Sequence, residues 1–552
     1  MDALPIHVTD NSTPDTAAVV PGWKTDLFIA SFLALFMEVM FIRWVPSYER
    51  VLAYFTNFVL IASFLGLGLG SMLARRRREL VRYEPLLVLL LVVVAMGFNL
   101  YVKTQTLTQD ILYTDLHRTS LLTLPLLVTL VIFFLLITAT FVPLGQKIGA
   151  GLLTTRSPLN GYILNILGSV LGVVAFSAVS FLQLAPAWWF ALALLPLLWF
   201  VRREKTLLCA NLVAVLIAIT NVAVAGGGFV WSPYHKITAS PLAMVRSTGL
   251  LWVYNGADMQ TVQVLPAEFG FHVAVNEDFL QMALNLSPPF VARYPFLRHY
   301  LEHYDLAYRI PNFPYRDVLI VGAGTGNDTA AALRHGAQHV DAVEIDPAIV
   351  QLGQTRHPEH PYDDPRVTVY VDDARSFFHK TNHRYDMVVF GLLDSHRLFS
   401  SMSSVRLDSF VFTVESFREV RRLLKDQGIV VVEHGLGAPF MEARMYAILT
   451  EAYGMAPAMS ETKETPGYTF ITGPGLRQYL GVQQPQGAGL VEPATDDWPF
   501  LYLEGRILPR QYGIALMALL TISLTSVFGC SGGRLRRIDL HFFLSRQRVS
   551  VD

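Results

Sequence analysis

Long runs of apolar residues, broken by short charged stretches, dominate the first 226 positions. Seven such runs lie near 26–45, 53–73, 85–102, 121–144, 159–182, 186–201 and 207–226. Most hold the roughly 20 apolar residues that a helix needs to cross a bilayer, and the sixth is short. The second carries Gly66, Gly68 and Gly70, small residues that let helices approach closely. An eighth run spans 512–529. Between Phe229 and about Leu503 the pattern changes. Short alternating runs (HKITAS, LLWVYN, MQTVQVL, FHVAVN), with turn residues such as Asn255-Gly256 between them, predict a β-rich region to about 285. Phe290 to Tyr308 reads as a helix. Buried-type strands are then predicted at Asp317–Val321, His339–Val343, Val367–Val371, Met387–Phe390 and Gly428–Glu433, with an amphipathic helix at Ser416–Leu424. Strands alternating with helices predict a parallel sheet covered on both faces. The expected architecture is a multi-pass α-helical membrane bundle plus an α/β Rossmann-like domain with a small N-terminal β-subdomain. Its divisions are a flexible tail over 1–25, a seven-helix transmembrane region over 26–226, the β-subdomain over 229–300, the Rossmann-like domain over 301–505 and a C-terminal membrane helix over 512–529.

Composition agrees. The 552 residues are 52% hydrophobic, and the mean hydropathy is +0.40, which is too apolar for an ordinary soluble chain. A net charge of -1 gives no electrostatic footprint for nucleic acid. Two cysteines, Cys209 and Cys530, supply neither a disulfide framework nor a zinc site. The first 25 residues carry Asp2, Asp10 and Asp15 without a basic leader, so they do not read as a cleaved signal peptide. Glu38 and Arg43 sit in or at the end of the first apolar run. Glu38 is expected to hydrogen-bond a neighbouring helix, at Asn160 or Asn165. Basic residues follow the second run (Arg75 to Arg78, Arg82), the fourth (Lys147, Arg156) and the sixth (Arg202, Arg203, Lys205). Basic loops mark the cytoplasmic side, which puts the N-terminus inside and, after seven crossings, the large domain outside. Either one short run fails to span or the domain is extracytoplasmic.

Candidate chemistry concentrates in RDVLIVGAGTGNDTAAALRHGAQHVDAVEID, residues 316–346. A strand runs into Gly322, Gly324 and Gly326, a helix follows, and a second strand closes on Glu344. Glycines at a strand end let backbone N–H groups approach a ligand, and an acid ending the next strand suits a ribose diol. The GxGxG spacing favours an adenosyl-sulfonium ligand over a dinucleotide. Asp372 and Asp373 end the third strand, Asp394 follows the fourth, and Glu433 and His434 end the fifth. Ligands in such sheets sit at these carboxyl ends. Asp373 suits an adenine amino group, and Asp394 could position or deprotonate a cationic amine. His235 could line the cleft.

These motifs together resemble the spermidine synthase family. Trp231-Ser232-Pro233-Tyr234-His235-Lys236-Ile237 is similar to its entry motif, and Gly322–Gly326, Glu344-Ile345-Asp346-Pro347 and Asp373-Ala374 to its nucleoside-binding motifs. Tyr385-Asp386-Met387-Val388-Val389 resembles its fourth strand. LNILGSVLG (164–172), SSVRLDSFVFTVESFREVRRLL (403–424) and TDDWPFLYL (495–503) resemble its membrane-bound branch. The resemblance implies a methyltransferase-type Rossmann domain and aminopropyl transfer from decarboxylated S-adenosylmethionine to a polyamine, without a metal. It implies cofactor contacts at Gly322, Gly324, Gly326, Glu344 and Asp373, substrate contacts at Tyr234, His235 and Glu433, and Asp394 as the catalytic acid. The implied partners are a small polyamine and the lipid bilayer, in the cell membrane, with homo-oligomerisation left open. Four positions depart from the family pattern. Gly391 stands where the amine-activating Asp is expected, Thr325 where the glycine loop carries an Asp, His235 for a Gln and Glu433 for a Gln. Two other readings follow from these departures: an S-adenosylmethionine-dependent methyltransferase, or a non-catalytic polyamine or nucleoside sensor or transporter.

Overall fold

The computed structural model describes residues 22–531 except 54, 56, 77, 98–100, 104–122, 156, 246–250, 254–261, 277, 392, 394–407, 436–438, 463–466, 481–490 and 507–509. The apolar runs fold as helices: α1 (Trp23–Tyr48), α2 (Phe58–Met72), α3 (Glu84–Gly97), α4 (Leu126–Thr154), α5 (Pro158–Phe181), α6 (Pro186–Leu194) and α7 (Lys205–Ala225). With the C-terminal helix, the stretches Trp23–Tyr48, Leu126–Thr154, Pro158–Phe181, Lys205–Ala225 and Tyr512–Cys530 are long and apolar enough to cross a membrane. The second and third runs form helices of only 15 and 14 residues. The sixth is broken near Pro196 and resumes as a single turn, Leu198–Val201.

Short as it is, the sixth run carries the chain back to the N-terminal end of the bundle. Trp199 donates its indole N–H to Asp26 at 3.0 Å. Glu204 pairs with Arg82 at 2.8 Å, and Lys147 with Glu79 at 3.0 Å. The start of α1, the α2–α3 connection, the end of α4 and the start of α7 therefore share one end. The domain that follows α7 emerges at the other. Aromatic side chains fill the bundle core, among them Phe36, Phe41, Trp44, Phe133, Phe141, Trp189 and Phe190, all buried. Gly66 and Gly70 lie against the α4 backbone at Thr138 and Val142, where a Cβ has no room; Gly68 faces open space. Buried Glu38 accepts from Ser63 on α2 at 2.9 Å. The expected partner Asn165 is instead taken by Ser31, at 2.8 Å.

The β-subdomain is antiparallel. A long central strand, β1 (Lys236–Val245), pairs with β2 (Gly270–Val275), and β2 pairs with β3 (Asp278–Leu284). The helix expected over 290–308 is interrupted at Pro295, whose ring cannot continue a helix interior. It becomes Pro288–Arg293 and Arg298–Tyr304 with a 3-10 turn between them.

The second sheet is the Rossmann-like core: β4 (Asp317–Val321), α8 (Asn327–Arg334), β5 (His339–Glu344), α9 (Pro347–Arg356), β6 (Val367–Val371), α10 (Ala374–Lys380), β7 (Tyr385–Phe390), α11 (Val414–Leu423), β8 (Leu424–Gly435), α12 (Pro439–Tyr453), β9 (Ala458–Thr462) and β10 (Gly467–Thr472). The strand order is β6-β5-β4-β7-β8-β10-β9. The first five are parallel, but β10 runs antiparallel to β8 and β9 antiparallel to β10. The expectation of an all-parallel sheet is thereby corrected: a hairpin covers one edge, as mixed sheets of this class allow. Apolar clusters cover both faces. Arg444, fully buried on α12, holds the 492–504 segment by donating to the carbonyls of Glu492 (2.9 Å), Phe500 (3.2 Å), Leu501 (2.8 Å), Leu503 and Glu504 (2.9 Å). The last described helix is α13 (Arg510–Cys530), with Tyr512 stacked on Phe55 at 5.4 Å.

Candidate adenosyl-binding site

The order of the sheet turns outward on both sides of β4, so the loops after β4 and β7 part and leave a crevice at the carboxyl ends. The glycine turn lies there. Gly322, Gly324 and Gly326 take φ of 69°, 58° and 112°, a region that favours glycine. Gly322 and Ala323 donate their N–H groups back to Val343 at 2.9 and 3.0 Å. Two side chains far away in sequence, and Asn327 directly after it, hold the turn. Tyr362 Oη lies 3.1 Å from the Ala323 carbonyl and 2.8 Å from that of Gly324. The Gln281 amide of β3 lies over Gly324, so that a Cβ there would stand 2.6 Å from Oε1. Asn327 donates to the Met282 carbonyl (2.6 Å) and Tyr304 Oη (2.7 Å) and accepts from Leu284 N–H (3.1 Å). It thus ties the β-subdomain to the turn.

Glu344 ends β5 beside this turn. It accepts from Gly324 N–H at 2.9 Å and Asp346 N–H at 3.0 Å. Burial drives its carboxyl up to about 7, against the lowering effect of those hydrogen bonds. Asp346 caps α9 and is fully buried. It takes the Ser232 hydroxyl at 2.5 Å and faces His235 Nδ1 at 3.3 Å. The Ser232–His235 turn is thereby latched to the start of α9. Asp373 caps α10 by accepting from Ser376 N–H at 3.0 Å. Asp372 pairs with Lys380 at 2.6 Å.

Together these groups enclose a cavity of about 410 Å³. Of the residues singled out from sequence, Gly322, Gly324, Glu344, Asp373, Tyr234 and His235 line it. Gly326 caps α8, and Glu433, which does not line the cavity, is buried against His303 at 3.4 Å. Asp394 lies outside the described residues. The cavity has a wall that the sequence reading did not foresee. Ile42, Arg43, Pro46 and Ser47 from the end of α1, with Leu52 and Ala53 just after it, face the strand ends. Arg43 donates to Ser180 and stacks on Trp189, 4.7 Å from the ring centre. Its Nε and Nη2 are buried without a partner among the described residues.

A glycine cradle, an acid at each of two strand ends and a cavity of nucleoside-ligand size fit an adenosyl group. At the opposite strand ends Asp317, His339 and His383 bring potential metal ligands together, and Lys425 already pairs with Asp317.

Comparison with known proteins agrees with this chemistry. Residues 300–466 match the family described as spermine/spermidine synthase domain. The chain is 31% identical over 175 residues to polyamine aminopropyltransferase 1 of Streptomyces coelicolor, covering 31% of this chain and 29% of that one. It is 30% identical over 162 residues to the polyamine aminopropyltransferase of Hamiltonella defensa, covering 28% and 51%. The chain thus spans about half or less of the length of these curated relatives. A solved structure of spermidine synthase from Thermotoga maritima aligns with a TM-score of 0.30 at 12% identity, covering 51% of this chain and 95% of that one. Human methyltransferase-like protein 13 aligns at 0.26 and 15%, covering 40% and 98%. Through residues 300–466, the chain is similar to the spermine/spermidine synthase family.

Proposed function

We propose that the chain is a membrane-anchored polyamine aminopropyltransferase that uses decarboxylated S-adenosylmethionine. The observation that carries this is the placing of Gly322, Gly324, Glu344 and Asp373 around one cavity at the carboxyl ends of β4, β5 and β6. The co-substrate's sulfonium supplies a carbon open to displacement by an amine. In this reading Glu344 takes the ribose hydroxyls and Asp373 the adenine edge. Gln281 and Leu393 bound the space above the glycine turn, and Tyr234 and His235 close the side. Asp394 remains our assignment for the acid that positions the amine. The α1 wall keeps bulk water off the reacting atoms, which strengthens every charge interaction within. The bundle is proposed to lie in the bilayer, by the length and composition of its helices.

A second reading is favoured by two observations. Thr325 is fully buried and uncharged in the glycine turn, and Arg43 brings a cation to the cavity wall. Both suit a co-substrate that keeps its carboxylate, and hence methyl transfer. One assay decides. The purified full chain receives S-adenosylmethionine or its decarboxylated form with putrescine or spermidine, and the products are weighed by mass spectrometry. Methylthioadenosine with a longer polyamine is expected. S-adenosylhomocysteine with a methylated product would replace the first reading by the second.

A further inference from the structure

Beside the adenosyl cavity, the strand ends hold a second group of acids that the site above does not use. Asp328 stands in the first turn of α8, four residues after Gly324. A Cβ at Gly391, the residue after β7, would lie 2.9 Å from Asp328 Oδ2. The carboxylate therefore reaches toward the space that a side chain at 391 would occupy. Glu433, 4% exposed, is the next acid: Val432 pairs with Phe390, so Glu433 and Gly391 follow side by side at the ends of neighbouring strands. Leu393, two residues after Gly391, lines the cavity, so this group borders it.

These carboxyls are high-energy neighbours. Burial raises both, and each acid's nearness to another raises Asp328 further, because two like charges resist ionising together. The groups facing them are His303, 3.4 Å from Glu433, Arg334, which lowers Asp328 through space, and the phenols Tyr304 and Tyr308. Arg334 is already taken by Glu359 at 3.1 Å. Tyr308 is 5% exposed, and its hydroxyl has no hydrogen-bond partner among the described residues. A buried hydroxyl left unpaired is costly. Two neighbouring acids, with His303 the one ion-pair partner in reach among the described residues, and a buried unpaired phenol on which both acids act through space, describe a receptor for a hydrogen-bonding cation.

We propose that Asp328 and Glu433 together bind the ammonium of an amine acceptor, with Asp328 receiving its proton. This rests on the aminopropyl reading for the reaction, and on the pair alone for binding. In the reaction the amine loses a proton to Asp328 and its lone pair forms the new nitrogen–carbon bond. The carbon–sulfur bond breaks, and its electron pair neutralises the sulfonium, leaving a thioether and a protonated secondary amine. Asp328 does from α8 what no side chain at Gly391 can do from β7.

The test uses the full chain in detergent and four proteins: wild type, Asp328→Asn, Glu433→Gln and Gly391→Ala. Spermidine binding is read by calorimetry, methylthioadenosine binding separately, and turnover by product mass. We expect spermidine affinity to fall at least about tenfold in each variant, and kcat/KM for the amine at least about 100-fold in Asp328→Asn. Methylthioadenosine affinity should stay within about twofold, which also shows that the variants are folded. If Asp328→Asn does not fold, Glu433→Gln and Gly391→Ala decide. Unchanged amine affinity and turnover in folded variants overturn the amine site while wild-type products keep the aminopropyl reading. Wild type that binds spermidine through this pair but forms no methylthioadenosine keeps the site and overturns the reaction. Wild type that binds no amine overturns both.

Discussion

Replacing Glu344 by Gln tests the adenosyl reading at its most loaded residue. The side chain keeps its shape and loses its charge. In the wild type the carboxylate accepts two backbone N–H groups, from Gly324 at 2.9 Å and Asp346 at 3.0 Å. An amide has one oxygen, so one of these donors faces an NH₂ group. A buried donor left unmade costs about 1–3 kcal/mol. The hydrogen bond to a ribose hydroxyl falls from charged to neutral, a loss of about 1–2 kcal/mol by the same comparison. At about 1.4 kcal/mol per tenfold, the ligand term alone predicts methylthioadenosine binding weaker by about 5- to 30-fold. The pH dependence carries a second signature. Glu344 titrates near 7 in the fold, above its ordinary value of 4.5. The native state therefore holds more protons than the unfolded chain between those values. The group's contribution to stability falls as pH rises through that window. Ligand affinity moves the other way, since the ionised form is the better acceptor. Isothermal titration of the solubilised full chain with methylthioadenosine, from pH 6 to 8, should show affinity rising in the wild type and flat in the variant. Equal affinities, or the same pH slope in both, would refute the ribose assignment.

Three further outcomes are expected. Asn327→Ala removes the tie between β3 and the glycine turn and should lower stability by about 2–3 kcal/mol, seen as a lower unfolding midpoint and early protease cleavage in the β-subdomain. Arg444→Met strands five carbonyls and should cost about 3–5 kcal/mol, releasing the 492–504 segment to amide exchange while methylthioadenosine still binds. A topology reporter fused after residue 505 should lie on the opposite side of the membrane from one fused at the N-terminus, because on the proposed path α6 makes the sixth crossing and α7 the seventh; reporters on the same side would contradict that path.

The glycine turn and the strand-end acids were legible because they are local: strand, turn, helix and acid follow one another within 31 residues of 316–346. The parallel core strands were legible for the same reason, as continuous apolar runs. The edge hairpin of β9 and β10 was not, because its partner is a strand already counted as the sheet's last. What holds the turn was also hidden. Gln281, Tyr304 and Tyr362 act over tens of residues through single contacts that leave no periodic trace. Asp328 was overlooked although it is two residues from Gly326, because only the fold sets it beside Gly391. The bundle's share of the cavity was beyond the sequence altogether, since nothing in the α1 run distinguishes a lipid-facing end from one that meets the strand ends.

That wall has a thermodynamic consequence. Ile42, Arg43, Pro46 and Ser47 touch the same space as Gly324 and Glu344, so whatever fills the space spans two folding units. Any ligand that binds only the docked arrangement must stabilise the docking by the same free energy, about 2.7 kcal/mol at 100 times its Kd. Occupancy of the water-facing domain would then be felt inside the bundle as a stiffer α1, and lipid or detergent that loosens α1 would weaken the nucleoside from a distance. On the membrane-anchored reading, the bilayer is a party to the binding equilibrium as well as an anchor.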